Sequence, residues 1–216
     1  MHKVLERAIG SADLNYLEMV FNTHPHYTTR GMEKMSLPLD DAVFSQWVKE
    51  LIEKRIGITE PYTIVGDNFY KHNHSYFPHC DAVEDNAWMN IVIPIHQWYR
   101  FGDQKFIVFD QTWAGRNATW MGNFEFEGDF DSNKKRTQRP CDDEFFQGGT
   151  GQPLPDEIWN HLDKKYFTQD YFHSMSGTAY DWVPGNIILF DSNHIHATGK
   201  MQSTFKLGIS IRTARV

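Results

Sequence analysis

Cysteine is nearly absent from this chain: Cys80 and Cys141 are the only two in 216 residues. Two thiols cannot build a disulfide framework or a four-cysteine zinc site, and a reducing compartment would keep both reduced. Long apolar runs are missing too. No stretch approaches the roughly 20 residues that cross a bilayer as a helix. The opening Met-His-Lys-Val-Leu-Glu-Arg runs into mixed polar sequence and not into the apolar core of a signal peptide. The expectation is a cytoplasmic protein with no membrane partner. Positive charge is in deficit: 21 Lys and Arg stand against 28 Asp and Glu, a formal charge of −7 with histidine neutral. That tilts against nucleic acid as a partner, which usually meets a basic face. The sequence shows no internal repeat and no low-complexity tract.

What is present is globular. The chain is 40% hydrophobic and 15% aromatic, a composition able to form a packed core. Its length suits a single domain, residues 1–216, with a preformed pocket. Phe44, Trp47, Val48, Leu51, Ile52 and Ile56 recur at helical spacing, predicting a helix over 39–56 with Asp40 and Asp41 in its first turn. Further helices are expected at 12–22 and at about 155–166. Short β-branched and aromatic runs at 62–65, 90–95, 105–110, 186–190 and 205–212 read as strands. The last alternates: Phe205, Leu207, Ile209 and Ile211 share one face; Lys206, Gly208, Ser210 and Arg212 share the other. Early helices and later strands predict a mainly β fold, with flanking helices on the outside of an antiparallel sandwich. Residues at about 113–181, rich in glycine and carrying Lys134, Lys135, Arg136 and Arg139, read as a loop-rich insertion. A surface excursion and a substrate lid both fit it.

The segment Tyr76-Phe77-Pro78-His79-Cys80-Asp81 carries the chemistry. On an extended chain, residues two apart share a side, so His79 and Asp81 can grip one ion while Cys80 points away. Imidazole with carboxylate suits Fe(II) or Mn(II), and a second histidine would complete a facial triad with three open positions. A His-x-Asp triplet is weak alone. His161-Leu162-Asp163 is another, in an expected helix where residues two apart diverge and cannot share a metal. The third ligand is expected after the Pro184-Gly185 turn and the apolar strand that follows, where His194 and His196 are both available. His196 is favoured because Lys206 stands ten residues on. A polar strand face bearing Lys206, Ser210 and Arg212 inside a sandwich is costly without an anion. A dicarboxylate would supply one, chelating the metal at one end and pairing with Lys206, or with Arg212, at the other. His24 and His26, and His72 and His74, offer weaker alternatives, His173 has no identifiable partner, and Trp88, Trp98, Trp113 and Trp120 are candidate pocket walls or ordinary core.

These residues resemble the 2-oxoglutarate/Fe(II)-dependent dioxygenase superfamily. The Tyr76-x-Pro78-His79-x-Asp81 wording is similar to its prolyl-4-hydroxylase-like branch, and Pro184-Gly185 through Phe190 to His196 to its phytanoyl-CoA-hydroxylase-like branch. The resemblance implies a double-stranded β-helix, the jelly-roll fold shared with cupins. It implies His79, Asp81 and His196 as iron ligands, and Fe(II), 2-oxoglutarate and O₂ as cofactor and cosubstrates. Lys206 matches the base for the 2-oxoglutarate C5 carboxylate, helped by Ser210; Tyr76 matches a position near the cosubstrate, and Asn90 a further donor. The implied reaction hydroxylates a C–H bond of a small metabolite or of an amino-acid or peptidyl substrate. Gly102-Asp103-Gln104-Lys105 stands where prolyl-hydroxylase-like members carry Gly-Gly-x-Thr/Leu, which argues against a prolyl substrate. Asp81 argues against halogenation. Two competing expectations are a cupin-like metalloenzyme that does not use 2-oxoglutarate, and a non-catalytic jelly-roll binding module.

Overall fold

In a computed structural model of the chain, described for residues 1–29, 31–66, 68–81, 86–98, 103–113, 119–121, 137–139, 146–164, 172 and 174–216, two largely antiparallel sheets face one another. The first half supplies strands β1 (His2–Leu5), β2 (Tyr27–Thr29), β3 (Met32–Ser36), β4 (Tyr62–Gly66), β5 (Asn68–His72), β6 (Tyr76–His79) and β7 (Ala87–Trp98). The rest are β8 (Lys105–Trp113), β9 (Thr119–Met121), β10 (Thr137–Arg139), β11 (Phe146–Gln147), β12 (Gly177–Asp181), β13 (Ile187–Asp191), β14 (His194–Thr198) and β15 (Phe205–Arg215). One sheet runs β1-β13-β7-β15-β5-β3-β2, with β4 also on β15; the other runs β10-β9-β6-β14-β8-β11, with β12 on β8. The mainly β sandwich expected from the sequence is the double-stranded β-helix arrangement.

Strand alternation divides the apolar residues into three layers. Outside the first sheet, Ile91, Ile93, Leu207, Ile209 and Ile211 pack against Leu17 and Phe21 of helix α1 (Ser11–Thr23) and Phe44 and Val48 of helix α2 (Ala42–Glu50). Outside the second, Ile107, Phe109, Ile195 and Ala197 pack against Leu154, Ile158 and Leu162. Between the sheets lies a smaller cluster: Val92, Phe106, Val108, Trp182, Ile188 and Phe190. The residues interleaved with these on β7, β14 and β15 are the polar ones, and they point into the same interior.

Several local readings are corrected. The helix expected over 39–56 starts at Ala42, because Asp41 caps it by accepting from the Phe44 N–H at 2.9 Å, while Asp40 lies in the preceding turn. From Leu51 to Ile56 it widens to a π-helix, ended by Gly57 at φ 83°. The helix expected at 155–166 is a single turn, α3 (Asp156–Trp159). Beyond it the His161 carbonyl accepts from the Lys200 N–H at 2.6 Å, so this backbone serves a tertiary contact instead of a helical bond. Phe205, expected in the aliphatic layer, is 37% exposed at the strand's start, with the Lys71 ammonium over its ring. Much of the insertion, including Lys134, Lys135 and Arg136, lies outside the described residues, as do Cys141 and His173. No helix among the described residues is long and apolar enough to cross a membrane.

Candidate metal centre

Two strands of the second sheet create the site. His79, the last residue of β6, lies directly opposite His196 of β14 in the ladder, and their rings sit 4.2 Å apart between centroids. Asp81 follows two residues after His79 and reaches both. Its Oδ1 is 3.6 Å from His79 Nε2 and its Oδ2 is 3.3 Å from His196 Nε2. All three ligand atoms lie within 4.8 Å of one another. Two donors at right angles, each about 2.1 Å from one ion, would be roughly 3 Å apart, so the set fits a metal after small adjustments. His196 Nδ1 lies 3.2 Å from the His194 carbonyl; donating there leaves the Nε2 lone pair for a metal.

The electrostatics agree. Burial alone would raise the Asp81 carboxyl, but the His79 and His196 rings and the Arg212 guanidinium outweigh it and hold the group well below the usual carboxylate range. It is therefore an anion ready to take a cation. Phe190 and Phe106 wall the His196 ring, at centroid distances of 4.7 and 5.8 Å. Arg212 Nη1 donates to the Asp81 carbonyl at 3.3 Å. Asn90, 1% exposed, faces Arg212 and Phe190 in register. The Ser192 hydroxyl donates to its Oδ1 at 3.1 Å, while its Nδ2 is buried with no hydrogen-bond partner among the described residues.

The second pole of the site is Lys206. It is fully buried on the inner face of β15, where its Nζ donates to Thr198 Oγ1 at 3.4 Å and lies 4.0 Å from the centre of the Trp182 ring. Burial pushes this ammonium well below the ordinary lysine value. Among the described residues no carboxylate pairs with it. His72, its neighbour across the β5–β15 ladder, is also buried, and burial followed by the nearby Lys206 charge pushes its imidazole well down. Thr198 stands two residues beyond His196 on one face of β14, about 6.8 Å along the strand. Tyr76 lies opposite Thr198 in the ladder, with its ring 4.8 Å from that of His79. Ser210 faces the same interior, 8% exposed, between Lys206 and Arg212.

The structure thus brings together His79, Asp81, His196, Arg212 and Asn90 at one pole, and Lys206 and Tyr76 toward the other. His194 is set apart. Its Nδ1 bonds the Phe109 carbonyl at 2.7 Å and its Nε2 faces the Met1 amine at 2.9 Å. Asp163 is occupied by the Ser75 hydroxyl at 2.5 Å, and His161-Leu162-Asp163 lies in a turn, not a helix. His24 and His26 are committed to helix-end carbonyls and to Glu33. Trp88 and Trp98 belong to the layer under the helices, and the Trp120 side chain lies outside the described residues. Sequence reasoning missed Trp182 and Thr198. Thr198 was within reach of the two-residue strand period from His196; Trp182, in an irregular segment before Pro184, carried no periodic signal.

The fold and these residues define a double-stranded β-helix with a His–Asp–His triad at one pole and a buried lysine at the other. No protein-family model matches the sequence, and no curated protein does. Solved structures do. A 2OG-Fe(II) oxygenase family oxidoreductase from Burkholderia pseudomallei aligns with 100% of this chain and 84% of its own, at a TM-score of 0.55 and 10% identity. HygX from Streptomyces hygroscopicus, crystallised with nickel and 2-oxoglutarate, aligns over 100% of this chain and 83% of its own at TM-score 0.56 and 9% identity. A prolyl-4-hydroxylase from Pseudomonas putida aligns over 100% and 92% at 0.54 and 9%. The chain has the fold of the 2-oxoglutarate/Fe(II) oxygenases.

Proposed function

We propose that this protein is an Fe(II)- and 2-oxoglutarate-dependent oxygenase that hydroxylates a C–H bond of a small metabolite or an amino-acid or peptidyl substrate. The observation that carries the reading is the pairing of a metal-fitting triad with a fully buried lysine, bonded to Thr198 two residues beyond His196 and facing no carboxylate among the described residues. Removing an ammonium from water is costly unless an anion joins it. A dicarboxylate held between metal and Lys206 answers that cost. The likeness to HygX, crystallised with nickel and 2-oxoglutarate, supports the same assignment.

His79, Asp81 and His196 would hold the iron, leaving three positions open. Iron and 2-oxoglutarate, when bound, supply O₂ activation coupled to decarboxylation of the keto acid to succinate and CO₂. The chain's own tasks are geometric. Lys206 and Thr198 seat the distal carboxylate, with Tyr76 and Ser210 beside them. Asn90, whose Nδ2 has no partner among the described residues, would serve the metal-proximal end. Phe106 and Phe190 exclude water from the ligand side of His196. The relatives of similar fold include an epimerase and a carbocyclase from nogalamycin biosynthesis as well as hydroxylases, so the bond oxidised must come from experiment. Anaerobic addition of Fe(II) and 2-oxoglutarate is expected to give a weak visible charge-transfer band absent from either component alone. A succinate-release screen against metabolites and peptides then identifies the substrate. Absence of the band, together with no 2-oxoglutarate consumption, would turn the assignment toward a binding module.

A further inference from the structure

Lys206 is not the lone buried donor at the far pole. Trp182, 2% exposed, lays the face of its indole against the Lys206 ammonium, and its Nε1–H is buried without a hydrogen-bond partner among the described residues. Buried N–H groups are nearly always paired, and leaving one unpaired costs the desolvation of the group. The ring cannot easily turn to find a partner. Its backbone N–H is held by the Gln104 carbonyl at 2.8 Å. Tyr70 and Phe106 pack beside it, each 6.2 Å between ring centroids. Its far edge rests on Gly208, where an added Cβ would come within 2.7 Å of Cζ2 and Cη2. The surroundings are shaped to hold an indole at this place and orientation, yet its polar atom is left over.

We infer that Trp182 is a second anchor for the distal carboxylate of the keto-acid cosubstrate, its Nε1–H donating to the oxygen that Lys206 leaves open. The inference rests on the oxygenase reading above. A carboxylate offers two oxygens and about four acceptor sites, more than the Lys206 ammonium and the Thr198 hydroxyl bonded to it fill between them. Trp182 then plays two parts. Its ring face steadies the ammonium while the pocket is empty, and its N–H completes the acceptor side once the dianion enters. The consequence is selectivity: a keto acid of equal length ending in a methyl group gains nothing from either donor.

Trp182→Phe keeps an aromatic ring beside Lys206 while removing the N–H; it also removes the indole edge over Gly208, so a second keto acid serves as the control for lost packing. Titration into Zn(II)-loaded protein is expected to show 2-oxoglutarate binding weakened about tenfold, as for loss of one hydrogen bond to a charged group. Binding of 2-oxopentanoate, the same chain length without the second carboxylate, is expected to change by less than about twofold. Equal weakening of both ligands would mean that Trp182 only packs, and unchanged 2-oxoglutarate binding would mean that water or nothing satisfies Nε1; either overturns the inference. In unsubstituted Zn(II)-loaded protein, 2-oxoglutarate but not 2-oxopentanoate should move the Trp182 indole N–H resonance downfield and slow its exchange, a readout independent of whether the variant folds. An indole signal that responds alike to both keto acids also overturns it. Wild-type protein that shows no preference for 2-oxoglutarate over 2-oxopentanoate would instead remove the oxygenase reading beneath it.

Discussion

Lys206 Nζ donates to Thr198 Oγ1 at 3.4 Å, and this contact ties the last strand to the strand that carries His196. Because Thr198 and His196 share one face of β14, the bond sets the distance between the metal pole and the cation pole of the interior. A ligand spanning both must match the length of that step.

Each triad residue should be indispensable for the metal. His79→Ala, Asp81→Ala and His196→Ala are each expected to weaken Fe(II) binding by at least about 100-fold, more than is usual for loss of an outer-shell partner. His194→Ala is expected to leave it within a few-fold, since His194 bonds the Phe109 carbonyl. Anaerobic Fe(II) titration of the purified variants decides. Retained binding in His196→Ala with loss in His194→Ala would exchange the roles of the two histidines.

Lys206 should cost stability in the empty protein. Burial depresses its folded-state pKa well below the ordinary 10.5. Between that depressed value and 10.5 the unfolded chain therefore holds more protons than the folded one, so stability rises with pH across this window. Lys206→Met removes the burden; replacing buried ion pairs by apolar groups of similar volume is often stabilising by about 1–4 kcal/mol, and a gain of that order is expected here. At roughly 2–4 °C per kcal/mol for a chain of this size, the metal-free variant should melt about 3 °C or more above wild type at pH 7. The advantage should shrink toward pH 10.5. With metal and saturating 2-oxoglutarate the order should reverse, and a variant less stable than wild type when empty would contradict the account.

The outer layer should carry stability without chemistry. Ile209 is fully buried against the helices on the face of β15 opposite Lys206. Ile209→Ala is expected to lower unfolding stability by about 2–5 kcal/mol, read from urea denaturation. In the fraction that remains folded, affinity for Zn(II) and 2-oxoglutarate should stay close to wild type. A parallel loss of ligand affinity would show that the two faces of β15 are coupled.

Much of this was readable from residue order. The alternation at 205–212 told which side of β15 meets the helices and which faces the space between the sheets, because a strand's period is fixed by its geometry. The pairing of His79 with Asp81 was legible for the same reason, and Lys206 because a buried charge needs an explanation. The geometry groups His196, and not His194, with His79 and Asp81. What escaped depends on distant parts of the chain. β1 is a four-residue strand that exists through its pairing with β13, more than 180 positions away, and nothing local marks it. The single-turn α3 lost its expected length to a backbone bond with Lys200. Trp182 sits in an irregular segment, and its importance appears only once Gly208 and Lys206 are placed beside it.

Each sheet is sealed on its outer side by its own hydrophobic layer, and among the described residues a smaller apolar cluster fills the space between the sheets. Most of the described apolar core thus lies away from the triad and Lys206. Substitutions on the inner walls therefore leave the two outer apolar layers, which hold most of the described core, untouched.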